Sequence, residues 1–153
     1  MATWYSKVTS DISKLPDCID YYDQQLIEAR SHISVHGNVE KNNAALPGWV
    51  EMYFAQLQDI EAIIRWMELE LRRIRRKYFQ KYLEGYNKAL TSRDAEKYTD
   101  GENEVVDWEI LINNIALVRN QYIGVIKGLE QKGYSLNNIV RLRTAGMEDT
   151  NIG

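Results

Sequence analysis

A single period constrains this chain more than anything else in it. Apolar side chains recur at alternating spacings of three and four from Val50 onward: Tyr53, Leu57, Ile60, Ile64, Met67, Leu71, Ile74 and Tyr78. A heptad seam of that length describes one long amphipathic helix packed against other helices, not a strand or a loop. The chain has only two prolines and nine glycines, with abundant Leu, Ile, Glu, Lys, Arg and Gln. Few breakers and many helix formers make the expected fold class all-α. At 153 residues one domain is the default, large enough to bury a core but too small to leave a long helix without partners.

Three stretches follow. Residues 1–48 are expected to hold an N-terminal arm and the first helix of a hairpin. Pro16 suits a first helical position, and Ile19, Tyr22, Leu26, Ala29 and Ile33 repeat the three-four spacing before Gly37 stops the helix. Residues 37–48 read as turn throughout, letting the second helix return antiparallel. That helix is expected over residues 49–90, with Gly85 as its weak point. Thr91 or Ser92 can cap a short helix to Tyr98.

Residues 91–153 then supply an apolar helix from about Glu102 to about Lys132, closed by Gly133. Ser135 is expected to cap a last short helix to about Thr144, ended by Gly146, with a frayed tail from Met147. The apolar helix has a second seam: Trp108, Leu111, Ile115, Val118, Tyr122, Val125 and Leu129. Ile110, Ile112, Leu117, Ile123 and Ile126 lie off that seam, and a helix apolar on more than one face touches more than one neighbour. Self-association is therefore expected, with Trp108, Leu111, Ile112, Ile115, Val118, Tyr122, Val125 and Leu129 as the oligomerisation residues.

The clue to function is residues 71–82, LRRIRRKYFQKY, which hold six cations, no anion and three aromatics. The net charge of the chain is −3, and setting those six cations aside leaves −9 on the remainder. Segregated charge steers a polyanion to one surface and away from the others. Single strands are held by cations tracking phosphates and by aromatic rings stacking on bases. The expected nucleic-acid-binding residues are Arg65, Arg72, Arg73, Arg75, Arg76, Lys77, Tyr78, Lys81 and Tyr82, with Phe79 and Tyr86 as further stacking candidates. Arg65, Arg72, Arg73 and Arg76 project from the back of the seam; Arg75, Lys77 and Lys81 flank it. The bland alternative is a solvated helix face, since Glu61–Arg65 and Glu68–Arg72 can pair at i,i+4 for a few tenths of a kcal/mol. Six free cations set a salt slope of at most roughly −4 on single strands, at ~0.7 per neutralised phosphate.

No catalytic residues, cofactor or metal are expected. His32 and His36 lie one helical turn apart, but no H-E-x-x-H pattern or third ligand accompanies them. Neither a phosphate-cradling Gly-rich loop nor a G-x-S-x-G elbow occurs. Cys18 is alone, which precludes an intrachain disulfide and suits a small buried hydrophobe in a reducing compartment. MATWYSKVTS lacks the apolar run of a signal peptide, and no apolar run reaches ~18 residues. The expectation is a soluble cytoplasmic protein with no membrane segment.

The basic segment running into Tyr82-Leu83-Glu84-Gly85, and above all KGLEQKGYSLNNIVRLR from Lys127 to Arg143, resembles the UvsY family, the recombination mediator proteins of T-even-like phages. The resemblance covers roughly residues 50–145 and contains no invariant catalytic signature; it does not extend to the N-terminal third. It implies a helical protein that forms ring-like homo-oligomers through its C-terminal helices and binds single-stranded DNA in the cytoplasm of an infected host. Its partners would be the phage single-strand-binding protein, which it displaces, and a UvsX-like recombinase, which it loads. The family's basic helix would fall on Arg72, Arg73, Arg75, Arg76, Lys77 and Lys81.

Two other classes stay open. KGYSLNNIVRLR looks like the opening of a MerR-type helix-turn-helix, which would make the protein a duplex-reading regulator. A coiled-coil adaptor would use both seams for partners and leave the arginines incidental.

Overall fold

The computed structural model of the chain describes residues 2–85 and 90–146. Among them are five α-helices, a short 3-10 turn at Ile12–Lys14 and no strand. The helices are α1 (Trp4–Ser10), α2 (Leu15–Ser31), α3 (Val39–Glu84), α4 (Ser92–Asp100) and α5 (Asn103–Thr144). The all-α expectation holds.

Short polar side chains set the starts. Thr3 caps α1 by accepting from the Ser6 amide at 3.1 Å, and Thr91 caps α4 by accepting from the Asp94 amide at 3.2 Å. Both satisfy donors that have no partner within their own helix. The N-terminal arm is thus partly helical, and α2 begins at Leu15, with Pro16 in its first turn.

Two expected boundaries are corrected. Residues 37–48 are not a turn throughout: α3 starts at Val39, and Pro47 and Gly48 lie inside it. Asn38 caps the helix by accepting from the Lys41 amide at 3.0 Å. Val39 and Leu46, seven residues apart, are buried. Capping and burial together outweigh the roughly 3 kcal/mol that an interior proline costs. The reversal is confined to the residues before Val39, where Gly37 takes φ +75°, a conformation that a side chain disfavours.

The second correction concerns α5, which runs unbroken to Thr144. Gly133 neither closes a helix nor precedes a new one at Ser135. It is a point of close packing, where an added Cβ would lie 3.3 Å from Leu46 Cδ2. The turn expected within KGYSLNNIVRLR, on which both the helix-turn-helix reading and part of the family resemblance depend, does not form. Gly146, at φ +90°, follows the end of α5 as expected. At its other end α3 stops at Glu84, with Gly85, the weak point expected in that helix, just beyond it. A Cβ on Gly85 would come within 2.7 Å of the Lys81 carbonyl oxygen. Tyr86 and the tail from Met147 lie outside the described residues.

The chain divides into two compact units, Met1–Asp59 with Val118–Gly153, and Ile60–Leu117. In the first, α1, α2, the N-terminal part of α3 and the C-terminal part of α5 enclose Val8, Leu15, Cys18, Leu26, Ala29, Tyr53 and Leu129. Burial pushes the Cys18 thiol up to about 12, so it behaves as the small hydrophobe its isolation suggested. Tyr122 donates to Gln56 Oε1 at 2.7 Å, and the Gln56 amide donates onward to Gln25 at 3.0 Å. Lys132, 3% exposed, donates to the His32 carbonyl at 2.7 Å and lies 4.8 Å from the centre of the Trp49 ring. Burial lowers its pKa. His32 caps the C-terminus of α2, so the ammonium sits where the helix dipole favours a cation.

In the second unit, α3 and α5 run antiparallel and α4 joins them. Ile60, Ile63, Ile64, Met67, Ala95, Val105 and Ile115 form the core. Trp66 and Trp108 meet edge to face at 6.0 Å. Five of the nine residues of the α3 seam are buried, namely Tyr53, Leu57, Ile60, Ile64 and Met67; the remaining four are half-buried.

Candidate nucleic-acid interface

The basic residues all sit on the part of α3 in the second unit, and the 3.6-residue period sorts them. Arg65, Arg72, Arg73, Arg76, Lys77 and Lys81 are exposed, whereas Arg75 is half-buried. The back-of-seam assignment for Arg65, Arg72, Arg73 and Arg76 is met.

Their partners divide them further. Arg65 pairs with Glu61 at 3.4 Å and Arg73 with Glu70 at 2.9 Å, both along α3. Arg75 bonds Asp100 of α4 at 2.6 Å and approaches Glu109 of α5 at 3.8 Å. Lys77 donates to Glu104 of α5 at 3.1 Å, and Tyr78 donates to the same oxygen at 2.7 Å. These two hydrogen bonds, Tyr78 first, hold the Glu104 carboxyl below its ordinary range. The Glu104 bond in turn raises both Lys77 and Tyr78. Arg75 and Lys77 therefore fasten α3 to its neighbours.

Among the described residues Arg72, Arg76 and Lys81 carry no ion pair. The Glu68–Arg72 pair expected from i,i+4 spacing is not formed, so Arg72 is freer than the sequence implied. Lys81 lies 5.7 and 5.5 Å from the ring centres of Tyr78 and Tyr82.

The aromatic expectations change. Tyr82 is buried, hydrogen-bonds Glu102 and stacks at 5.3 Å on Tyr98, so its ring is a packing element and not an open stacking platform. Tyr78 has its hydroxyl engaged by Glu104 and is half-buried. The exposed ring is Tyr98, 54% accessible, on the polar helix α4. Sequence reasoning passed over it because a lone aromatic among SRDAEKYTD belongs to no seam. Phe79 lines a cleft of about 280 Å³ together with Arg75, Arg76, Glu96 and Thr99. That cleft puts an aromatic ring beside an unpaired guanidinium, with Glu96 as the one opposing charge in its lining.

The expected oligomerisation residues are mostly spent within the chain. Ile115, Val118, Tyr122, Val125 and Leu129 are buried, and Trp108, Leu111 and Ile112 are half-buried. The exposed apolar positions of the α5 segment in the second unit are Val106, Ile110 and Leu117, at 37, 51 and 60%. The buried part of the seam fills the core of the chain and is not also open to a partner.

His32 stacks on Trp49 at 4.1 Å. Among the described residues no three His, Cys, Asp or Glu side chains are grouped to hold a metal. None of the described helices is long and apolar enough to cross a membrane.

Fold and surface together define an all-α protein with exposed cations on one helix, of which Arg72, Arg76 and Lys81 carry no ion pair among the described residues. No protein-family model, curated protein or solved structure matches the chain.

Proposed function

We propose that the protein is a non-enzymatic mediator of DNA recombination: it binds single-stranded DNA along α3, displaces a single-strand-binding protein and helps load a recombinase. The observation that carries DNA binding is the exposed pair Arg72 and Arg76, one helical turn apart and without ion pairs among the described residues, with Arg76 lining the Phe79 cleft; Lys81 adds a third such cation on another side of the helix. Arg72 and Arg76, on one face of the helix, can meet neighbouring phosphates while Phe79 and Tyr98 offer rings to unstacked bases. The mediator role rests on the resemblance of residues 50–145 to the UvsY family. Three free cations give a salt slope near −2 at ~0.7 each, shallower than six would. Binding by one copy is then weak, and several copies acting together raise avidity by ~10² or more without new contacts.

The test is fluorescence anisotropy of labelled oligothymidylate and of a duplex across a salt series, for the native chain and Arg72→Glu/Arg76→Glu. The native chain prefers the single strand. The double variant loses tenfold or more in affinity, and its slope flattens by about 1.4. Circular dichroism checks that its helix content is intact. Preference for a particular duplex would favour a regulator instead, and no binding even at low salt would leave the adaptor reading.

A further inference from the structure

The first unit contains a cleft of about 310 Å³ lined by Ala2, Thr3, Trp4, Lys7, Tyr21, Tyr22, Gln56 and Asp59. That volume lies at the lower end for small-molecule sites. Its walls are aromatic: Trp4 and Tyr21 face each other at 5.8 Å with 38° between planes, and Tyr21 meets Tyr22 edge-on at 5.1 Å. Trp4 is half-buried and Tyr21 is 42% exposed, so the rings are fixed by packing yet open to solvent.

The polar groups of the lining decide what such walls would hold. Gln56 is engaged on both sides, its oxygen accepting from Tyr122 and its nitrogen donating to Gln25. The Thr3 hydroxyl is taken up in capping α1 through Ser6. Asp59 is exposed and makes no hydrogen bond or ion pair with the described residues. The Tyr22 hydroxyl is pushed up by burial first, then by Cys18 and Asp59, which places the carboxylate's field in this cleft. A cation is already present: Lys7 Nζ stands 4.3 Å from the centre of the Trp4 ring.

Aromatic faces attract cations through the ring quadrupole, and a nearby carboxylate adds a full countercharge. We propose that this cleft binds an organic cation of the alkylammonium class, seated against Trp4 and Tyr21 and neutralised by Asp59, with Lys7 as an internal competitor that the ligand displaces. Phosphate-bearing ligands are disfavoured by the same unpaired carboxylate. The site is independent of the α3 cations: the proposal stands whether or not the chain binds DNA.

The test uses the full chain, titrated with choline and with its uncharged isostere in which carbon replaces nitrogen. The readouts are the Trp4 indole and Tyr21 ring resonances. Choline shifts both and the isostere does not. Asp59→Asn weakens choline binding by about tenfold, because it removes the countercharge, and Lys7→Gln tightens it about threefold, because it removes the competing cation. Asp59 engages no partner whose loss would unfold the protein, and the dispersion of the remaining amide resonances verifies this. A trimethyllysine peptide distinguishes the two sources of such a group: tighter binding than choline assigns the site to a modified protein tail, equal or weaker binding to a free amine. Equal shifts from choline and its isostere, no shift from choline, or an unchanged affinity in Asp59→Asn would each overturn the proposal.

Discussion

The two units are held together by different chemistry. Every ion pair among the described residues belongs to Ile60–Leu117, and none belongs to the other unit. The first unit instead relies on a core rich in fully buried side chains and on neutral hydrogen bonds such as Tyr122–Gln56–Gln25. Burial in that core is nondirectional and insensitive to salt. Surface ion pairs are worth little each and weaken with ionic strength. The lesson concerns function as much as stability. The unit that displays the exposed cations Arg72, Arg76 and Lys81 is the one that also uses Arg75 and Lys77 as fasteners, so the proposed DNA-binding surface and the cohesion of the unit draw on neighbouring side chains of α3.

The largest effect that sharpens this contrast is expected at Leu129. It is fully buried, and Leu129→Ala removes contacts and leaves a cavity, costing about 2–5 kcal/mol in urea unfolding. Its effect should be the same at low and high salt. An intermediate effect is expected at Thr91. Thr91→Ala removes the cap of α4, at a cost of about 1 kcal/mol. Hydrogen exchange should show it as faster exchange in α4 with little change in α2.

The smallest effect, and the most specific, lies at Glu104. Its folded pKa is depressed, so its contribution is present above the ordinary carboxylate range and lost as pH falls through the lowered folded value. Lys77, whose pKa is raised, shows the opposite sign: its contribution is full below the ordinary lysine range and lost as pH rises through the raised value. Acid should therefore loosen the second unit, read by fluorescence of the Trp66–Trp108 pair. Glu104→Gln should mimic this at neutral pH. It frees Lys77 and steepens the salt slope for single-stranded DNA by about 0.7. An unchanged slope would mean that Lys77 never contributes to the surface.

Much of the fold was legible because periodicity is written locally. The α3 seam, the exposed face bearing Arg72 and Arg76, and the Thr91 cap all follow from spacing along one helix. The misreadings share one cause. Pro47, Gly48 and Gly133 were weighed by their intrinsic tendency to break helices, but Leu46 is buried and Gly133 admits it at close range. Tertiary packing outweighed a local preference of one to a few kcal/mol.

The site was half legible for the same reason. The i,i+4 rule looks along a helix, so it found Glu61 for Arg65 and proposed Glu68 for Arg72. It had no means of seeing Asp100, Glu104 and Glu109, which lie 25, 27 and 34 residues from the cations they meet. The sequence by itself determined that the chain is helical and which side chains of α3 turn outward, because both depend on a repeat of 3.6 residues. Which of those cations remain free was decided only by the tertiary structure, since a carboxylate satisfies a guanidinium by distance in space and not by separation along the chain.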